Sequence, residues 1–308
     1  MSALPYLDGE TLRELVPMAR AVQALQDALL AGLDPEDTPR RPVVEVPAGQ
    51  LLLMPAAWGR HVGIKVAGVA PANPSRGLPR IQGAYLLMDG ESLAPLAMMD
   101  GVALTSLRTP AVSALAVRHL AEPGASEMAV FGTGPQAWGH VEAFRAVRPV
   151  ERVSVIARDA AKARAFAARC AAEALRAATV ADPGQADLIA CCTTARTPLF
   201  DGRLTRDDAT VVAVGSHEPD AREVDDDLVA RATVVVEARS AALAEAGDLI
   251  IPLRNGTITI GHLAGNLGEL VAGAVPRGPG PRLFKSVGMA WEDLVVAAAA
   301  YEAWMRVR

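Results

Sequence analysis

Ala129-Val-Phe-Gly132-Thr-Gly134-Pro-Gln-Ala137 joins a short apolar run to a helix-forming segment through two closely spaced glycines. The stretch fits the pattern G-x-G-x-x-G/A. In that pattern Gly132 permits a tight turn, Gly134 lets an anion approach the backbone, and the small Ala137 allows close helix–strand packing. A helix opening at Pro135 offers unbonded amides and a positive dipole end, so residues 132–137, with Thr133 and Gln136 between the small ones, read as a pyrophosphate cradle. The pattern alone is weak evidence, and its neighbours strengthen it. A strand at Met128–Phe131 precedes it, and a helix to about Val147, a second strand at Val153–Ala157 and a second helix at Ala160–Leu175 follow. Leu188–Cys192, Val211–Val214 and Val234–Val236 are further compact apolar runs. Alternation of this kind predicts an α/β domain with a Rossmann-type, doubly wound parallel sheet.

The residue that reads the adenosine ribose is expected about 20 positions past the glycines. Counting from Ala137 reaches Ala157, followed by Arg158 and Asp159. An arginine pairs a 2′-phosphate, whereas an acid holds a 2′-hydroxyl. Arg158 therefore favours NADP(H) over NAD(H), with Asp159 as the ribose-binding rival.

Upstream the pattern differs. Residues 8–33 read as helix capped by Asp8, and prolines at 35, 39 and 42 break the chain. Strand-like runs follow at Val43–Val46, Leu51–Met54, Val62–Val69 and Ala84–Met88. Asp100–Leu120 reads as helix, with Pro110 opening a second segment. The expected organisation is an α+β substrate-binding and dimerisation domain at 1–110, completed by residues 285–308, and a dinucleotide-binding domain at 111–284.

Composition narrows the function classes. A net charge of −5 provides no global basic field for nucleic acid or anionic membrane. No window approaches 18 uninterrupted apolar residues, and the start of the chain lacks a basic segment followed by an apolar one, so a cytoplasmic protein without a signal peptide is expected. Three cysteines without C-x-x-C spacing and five histidines without ligand spacing argue against a disulfide framework or a metal site.

Only three of the 30 basic residues are lysines, namely Lys65, Lys162 and Lys285. Lysine retained in such an arginine-rich background invites a functional reading. Lys65 interrupts the apolar run Val62–Gly68; burial there would lower its pKa and suit it to acid–base chemistry, although an edge-strand gatekeeper is the plainer explanation. Arg108, in Thr105-Ser-Leu-Arg108-Thr-Pro-Ala111, has a guanidinium fork suited to a carboxylate, against the plainer reading of an interhelical arginine.

Read together, these segments resemble the ornithine cyclodeaminase/mu-crystallin family. The resemblance runs through Leu53-Met-Pro55, Gly63-Ile-Lys65, Pro71-Ala-Asn73, Gly77-Leu-Pro79, Asp100-Gly101 and Leu104–Thr109. It continues through the glycine turn and His140, Val214–Pro219, Arg222-Glu-Val-Asp225, Glu245-Ala-Gly-Asp248 and Phe284–Gly288. It implies a homodimer formed through the first domain. It also implies a nicotinamide-dependent reaction at a carbon bearing nitrogen beside a carboxylate. By the same resemblance Arg41 (with Arg40 as rival) and Arg108 anchor the carboxylate, and Lys65 stands beside the reacting carbon. Val287 and Gly288 lie near the nicotinamide, and Thr109 is placed among the cofactor contacts. Lys285 fits that last segment or a surface turn. Ornithine-cyclising members carry an aspartate two residues before the proline at 219; His217 occupies that place here. A neutral or cationic imidazole cannot hold an ammonium, so the resemblance points to reduction of a small α-imino acid, with Lys65 or His217 as proton donor. An amino-acid dehydrogenase, an ornithine cyclodeaminase or a cofactor-holding protein without turnover are the alternatives.

Overall fold

The computed structural model describes residues 4–179 and 182–307; the first three positions of the N-terminal reading and the last residue of the expected 285–308 segment lie outside them. Two compact units emerge, Met1–Val112 with Met289–Arg308, and Ser113–Gly288. Lys285–Gly288 group with the second unit.

In chain order the first unit holds β1 (Tyr6–Leu7), α1 (Gly9–Leu15), α2 (Met18–Leu30), β2 (Val43–Val46), β3 (Gly49–Trp58), β4 (His61–Val69), β5 (Ile81–Asp89), β6 (Pro95–Asp100) and the start of α3 (Gly101–Leu120). The second unit continues with β7 (Glu127–Phe131), α4 (Pro135–Arg145), β8 (Arg152–Ile156), α5 (Ala160–Ala172), β9 (Arg176–Ala178), β10 (Leu188–Cys191) and β11 (Thr210–Ala213). It ends with α6 (Asp226–Arg231), β12 (Thr233–Val236), α7 (Arg239–Glu245), α8 (Gly247–Arg254), β13 (Leu263–Asn266), α9 (Leu267–Val271) and β14 (Arg282–Lys285); α10 (Ala290–Arg306) returns to the first unit.

The first sheet has the order β1-β6-β5-β4-β3-β2, antiparallel except where β1 joins β6. Side chains alternate between its faces. Met54, Tyr85, Leu87 and Met99 point to the buried face, on which α10 packs. Lys65 belongs to that face, opposite Met54 on β3 and Tyr85 on β5. Since β4 is an interior strand, the edge-strand reading of Lys65 fails.

Two helix expectations change. Residues 8–33 form two helices because Pro17, extended at ψ 153, ends the first and caps the second; Asp8 does cap α1, accepting from Thr11 N at 2.9 Å. Pro110 does not open a new segment but lies inside a continuous α3. A mid-helix proline loses one backbone bond; burial of Leu107, Ala111, Val112 and Leu115 around it maintains the helix.

The second sheet is parallel throughout, ordered β13-β12-β14-β11-β10-β7-β8-β9. From β7 the chain winds outward to β8 and β9, then returns to place β10 on the other side of β7. The glycine turn thus sits at the point where strand order reverses, the usual ligand crevice of such sheets. Three of its strands, β9, β13 and β14, are not among those expected from the sequence. No described helix is long and apolar enough to cross a membrane.

Candidate functional site

The second unit contains a cleft of about 1020 Å³ beyond the carboxyl ends of β7, β8 and β10. Gly132 opens it with φ +110, and a Cβ there would stand 2.6 Å from the Cys192 carbonyl oxygen. Both backbone freedom and space require glycine at this position. Gly134 differs. It is extended (φ −84, ψ −178), and a Cβ on it would meet no protein atom within 4 Å. Nothing in the described chain demands glycine there, whereas a pyrophosphate resting on the turn would. Pro135 occupies the first turn of α4, whose N-terminus has no side-chain cap, so its amides face the cradle. Ala137 is fully buried. The residues present therefore fit a dinucleotide, with Thr133 and Gln136 half-buried beside the turn.

At the end of β8 Arg158 lines the cleft and is exposed. Asp159 is committed to capping α5: its Oδ1 accepts from Ala161 N (2.9 Å) and Lys162 N (3.1 Å). These amide bonds hold its carboxyl below the usual range. Across the cleft Arg196 pairs with Glu218 (2.5 Å) and Asp220 (2.9 Å).

Three buried carboxylates hold the loops beyond β10, β11 and β14. Glu223 accepts from Thr193 N (2.7 Å), Thr193 Oγ1 (2.8 Å) and Gly215 N (2.7 Å). Burial raises its pKa, and the nearby Lys285 opposes the rise. Asp248 Oδ1 accepts from Glu223 N and Val224 N, while Oδ2 pairs with Lys285 Nζ at 2.8 Å. Lys285 also donates to Ser216 O (2.7 Å), the residue before the half-buried His217. Lys285 is 1% exposed, which rules out a surface turn. Glu237 accepts from Ser286 Oγ (2.5 Å), Val287 N (2.8 Å) and Gly288 N (2.9 Å). Backbone amides, two hydroxyls and a lysine thus tie all three loops to buried carboxylates.

In the first unit, α3 presents Thr105 and Arg108 one turn apart, and Asp100 caps its start at Val102 N (2.9 Å) and Ala103 N (3.0 Å). Facing them are the adjacent Glu292 and Asp293 of α10, both 0% exposed. Asp293 Oδ2 lies 2.7 Å from Lys65 Nζ and Oδ1 lies 3.2 Å from Arg108 Nε; Glu292 Oε2 lies 2.6 Å from Arg108 Nη1. Lys65 also donates to Thr105 Oγ1 at 3.2 Å. Two cations and two anions are formally balanced. Burial nevertheless lowers the Lys65 pKa to about 8, helped by Arg108 and resisted by Asp293. Thr109 is buried beside Arg108 on α3, while Arg41 is half-buried and Arg40 exposed just before β2.

A family model described as the ornithine cyclodeaminase/mu-crystallin family matches residues 11–307. The chain belongs to this family. It is 37% identical over 262 residues to a Δ1-pyrroline-2-carboxylate reductase of Bacillus cereus, covering 82% of this chain and 80% of that protein. Among solved structures, Thermococcus litoralis Δ1-pyrroline-2-carboxylate reductase in complex with NADH and L-proline superposes with a TM-score of 0.93 at 31% identity, covering 99% and 98% of the two chains. An archaeal alanine dehydrogenase dimer with bound NAD superposes with a TM-score of 0.92 at 27% identity, covering 99% and 97%.

Within this family member, sequence reading found the lysine and arginine of the first-unit cluster but not their partners. Glu292 and Asp293 carry one available signal, two adjacent acids inside an otherwise apolar helix. Glu237 carries a related one, a single acid at the end of the apolar strand Val234–Val236. Glu223 and Asp248 belonged to quoted motifs without a role; both serve as acceptors for loop amides. His140, another motif residue, is fully buried, with its ring nitrogens 2.7 Å from Gln136 O and 2.8 Å from Ser113 Oγ. Burial lowers its pKa to about 4.

Proposed function

We propose that this protein uses NAD(P)H to reduce the C=N bond of a small cyclic α-imino acid, such as Δ1-pyrroline-2-carboxylate, to the amino acid. The observation that carries this reading is Lys65: a lysine 2% exposed, oriented by Asp293 and Thr105, with a pKa of about 8. Such an ammonium is mostly protonated at neutral pH and close enough to it to release its proton. The names of the Bacillus and Thermococcus relatives support the substrate class.

When bound, the nicotinamide supplies a hydride to the imine carbon. The residues of this chain prepare the substrate for it. Arg41 and Arg108 hold the carboxylate, Arg108 being oriented by Glu292 and Asp293. Lys65 Nζ keeps the imine nitrogen protonated, which withdraws electrons from its carbon; His217 is the alternative donor. Residues 132–137 receive the pyrophosphate, and Thr109, Val287 and Gly288 serve the nicotinamide end. Arg158 meets a 2′-phosphate and favours NADP(H), because Asp159 already caps α5.

The protein acts as a homodimer in this reading. The face of the first sheet opposite α10 carries Leu53, Ile64, Val66, Leu86 and Met98, aligned by strand register, with Val66 and Met98 both 39% exposed. Antiparallel sheets facing water are usually polar on that side. An apolar one fits a second copy of the chain, in line with the archaeal dimer.

The test is oxidation of NADPH and NADH with Δ1-pyrroline-2-carboxylate, with 2-oxo acids plus amines, and with 2-oxo acids plus ammonia. Turnover of the cyclic imine, lost in Lys65→Met while NADPH still binds, is expected. Turnover restricted to 2-oxo acid plus ammonia would instead establish an amino-acid dehydrogenase, and cofactor binding without turnover would remove the enzymatic reading.

A further inference from the structure

Of the three lysines, Lys65 lies in the buried cluster and Lys285 is paired with Asp248; Lys162 has neither setting. It is exposed on the first turn of α5 and lines the dinucleotide cleft together with Arg158. Among the described residues neither of the two makes an ion pair or a side-chain hydrogen bond. The third cation of the cleft, Arg196, is discharged by Glu218 and Asp220. The carboxylate between them, Asp159, accepts both first-turn amides through Oδ1. That cap closes residues 159–162 into a single turn, so Arg158 and Lys162 flank one short stretch of backbone at the β8 end of the cleft.

A phosphate monoester carries nearly two negative charges near neutral pH, which one guanidinium neutralises only in part. We infer that Lys162 is the second ligand of the ribose 2′-phosphate and, with Arg158, determines preference for NADP(H). The inference rests on the NADP(H) reading proposed above. Arg158 supplies a planar fork and Lys162 a compact point charge; the two occupy different phosphate oxygens.

Direct binding separates this role from catalysis. Unmodified protein, Arg158→Ala and Lys162→Met are titrated with NADPH and NADH by nicotinamide fluorescence, and with 2′,5′-ADP and 5′-AMP as competitors; far-UV circular dichroism verifies the fold. Methionine retains the helix-forming, unbranched stem of lysine. Lys162→Met should weaken NADPH and 2′,5′-ADP by about tenfold or more, the loss of one charged contact, and leave NADH and 5′-AMP unchanged. Equal weakening of NADPH and NADH overturns the inference. So does an unmodified protein that prefers NADPH, loses the preference in Arg158→Ala and keeps it in Lys162→Met; in that case the NADP(H) reading survives and only Lys162 is excluded. An unmodified protein that binds NADPH and NADH alike refutes the underlying reading and the inference together.

Discussion

Asp293→Asn removes the charge that steadies Lys65 while preserving shape. The carboxylate lies 2.7 Å from Nζ, and the lysine, its partner and Arg108 are all buried. At an effective dielectric constant of about 20, one opposite charge at this distance is worth roughly 6 kcal/mol. Lowering a pKa by two units requires only about 2.7 kcal/mol. Lys65 already stands near 8 despite Asp293, because burial and Arg108 both disfavour its charge. Without the carboxylate its pKa should therefore fall to about 6 or below, and at pH 7 the protonated fraction should drop from about nine-tenths to about one-tenth. The assay is the pH dependence of kcat/KM for imine reduction between pH 5 and 10. In the unmodified protein the rate should decline as pH rises through about 8, where Lys65 loses its proton. In Asp293→Asn that decline should begin at least two units lower, with about tenfold lower activity at pH 7. An unshifted profile in a folded variant would refute Lys65 as the donor and transfer the role to His217. Stability adds an independent signature. Between pH 8 and 10.5 the unfolded chain retains a proton that folded Lys65 has released, so the contribution of this residue to stability rises with pH across that window, by up to about 3 kcal/mol.

The two glycines of the turn should separate folding from binding: Gly132→Ala, forced to φ +110 against the Cys192 carbonyl, should lower the melting temperature, whereas Gly134→Ala should keep it and weaken dinucleotide binding by about tenfold or more in a fluorescence titration. L-Ornithine incubated with NAD(H) or NADP(H) should yield no proline or ammonia, since His217 cannot hold the distal ammonium; robust proline formation would restore a cyclodeaminase. Arg148 donates to the carbonyls of Arg118, Ala121, Glu122 and Val147, so Arg148→Ala should cost about 2–4 kcal/mol in chemical denaturation and leave the cofactor affinity of the folded protein unchanged.

Local pattern determined much of this protein. The turn at Gly132–Ala137, the alternation of β7, α4, β8 and α5, and the period-2 runs of β3–β5 depend on neighbours a few residues away, and backbone sterics and side-chain periodicity act at that range. Lys65 and Arg108 were legible for a related reason: a charge inside an apolar run stands out wherever its partner lies. Their partners were not legible. Asp293 is 228 residues from Lys65, and Asp248, the partner of Lys285, is equally invisible from spacing, because buried charges pair according to which strands and helices become neighbours. The same limit hid β14, which inserts between β11 and β12 and carries Lys285 into the interior. Short-range order settles most of the strands and helices, those with a strong period or turn of their own. Only tertiary packing decides which carboxylate faces which ammonium, and with it the proton affinity of Lys65, since desolvation and the counter-ion exist only in the assembled fold.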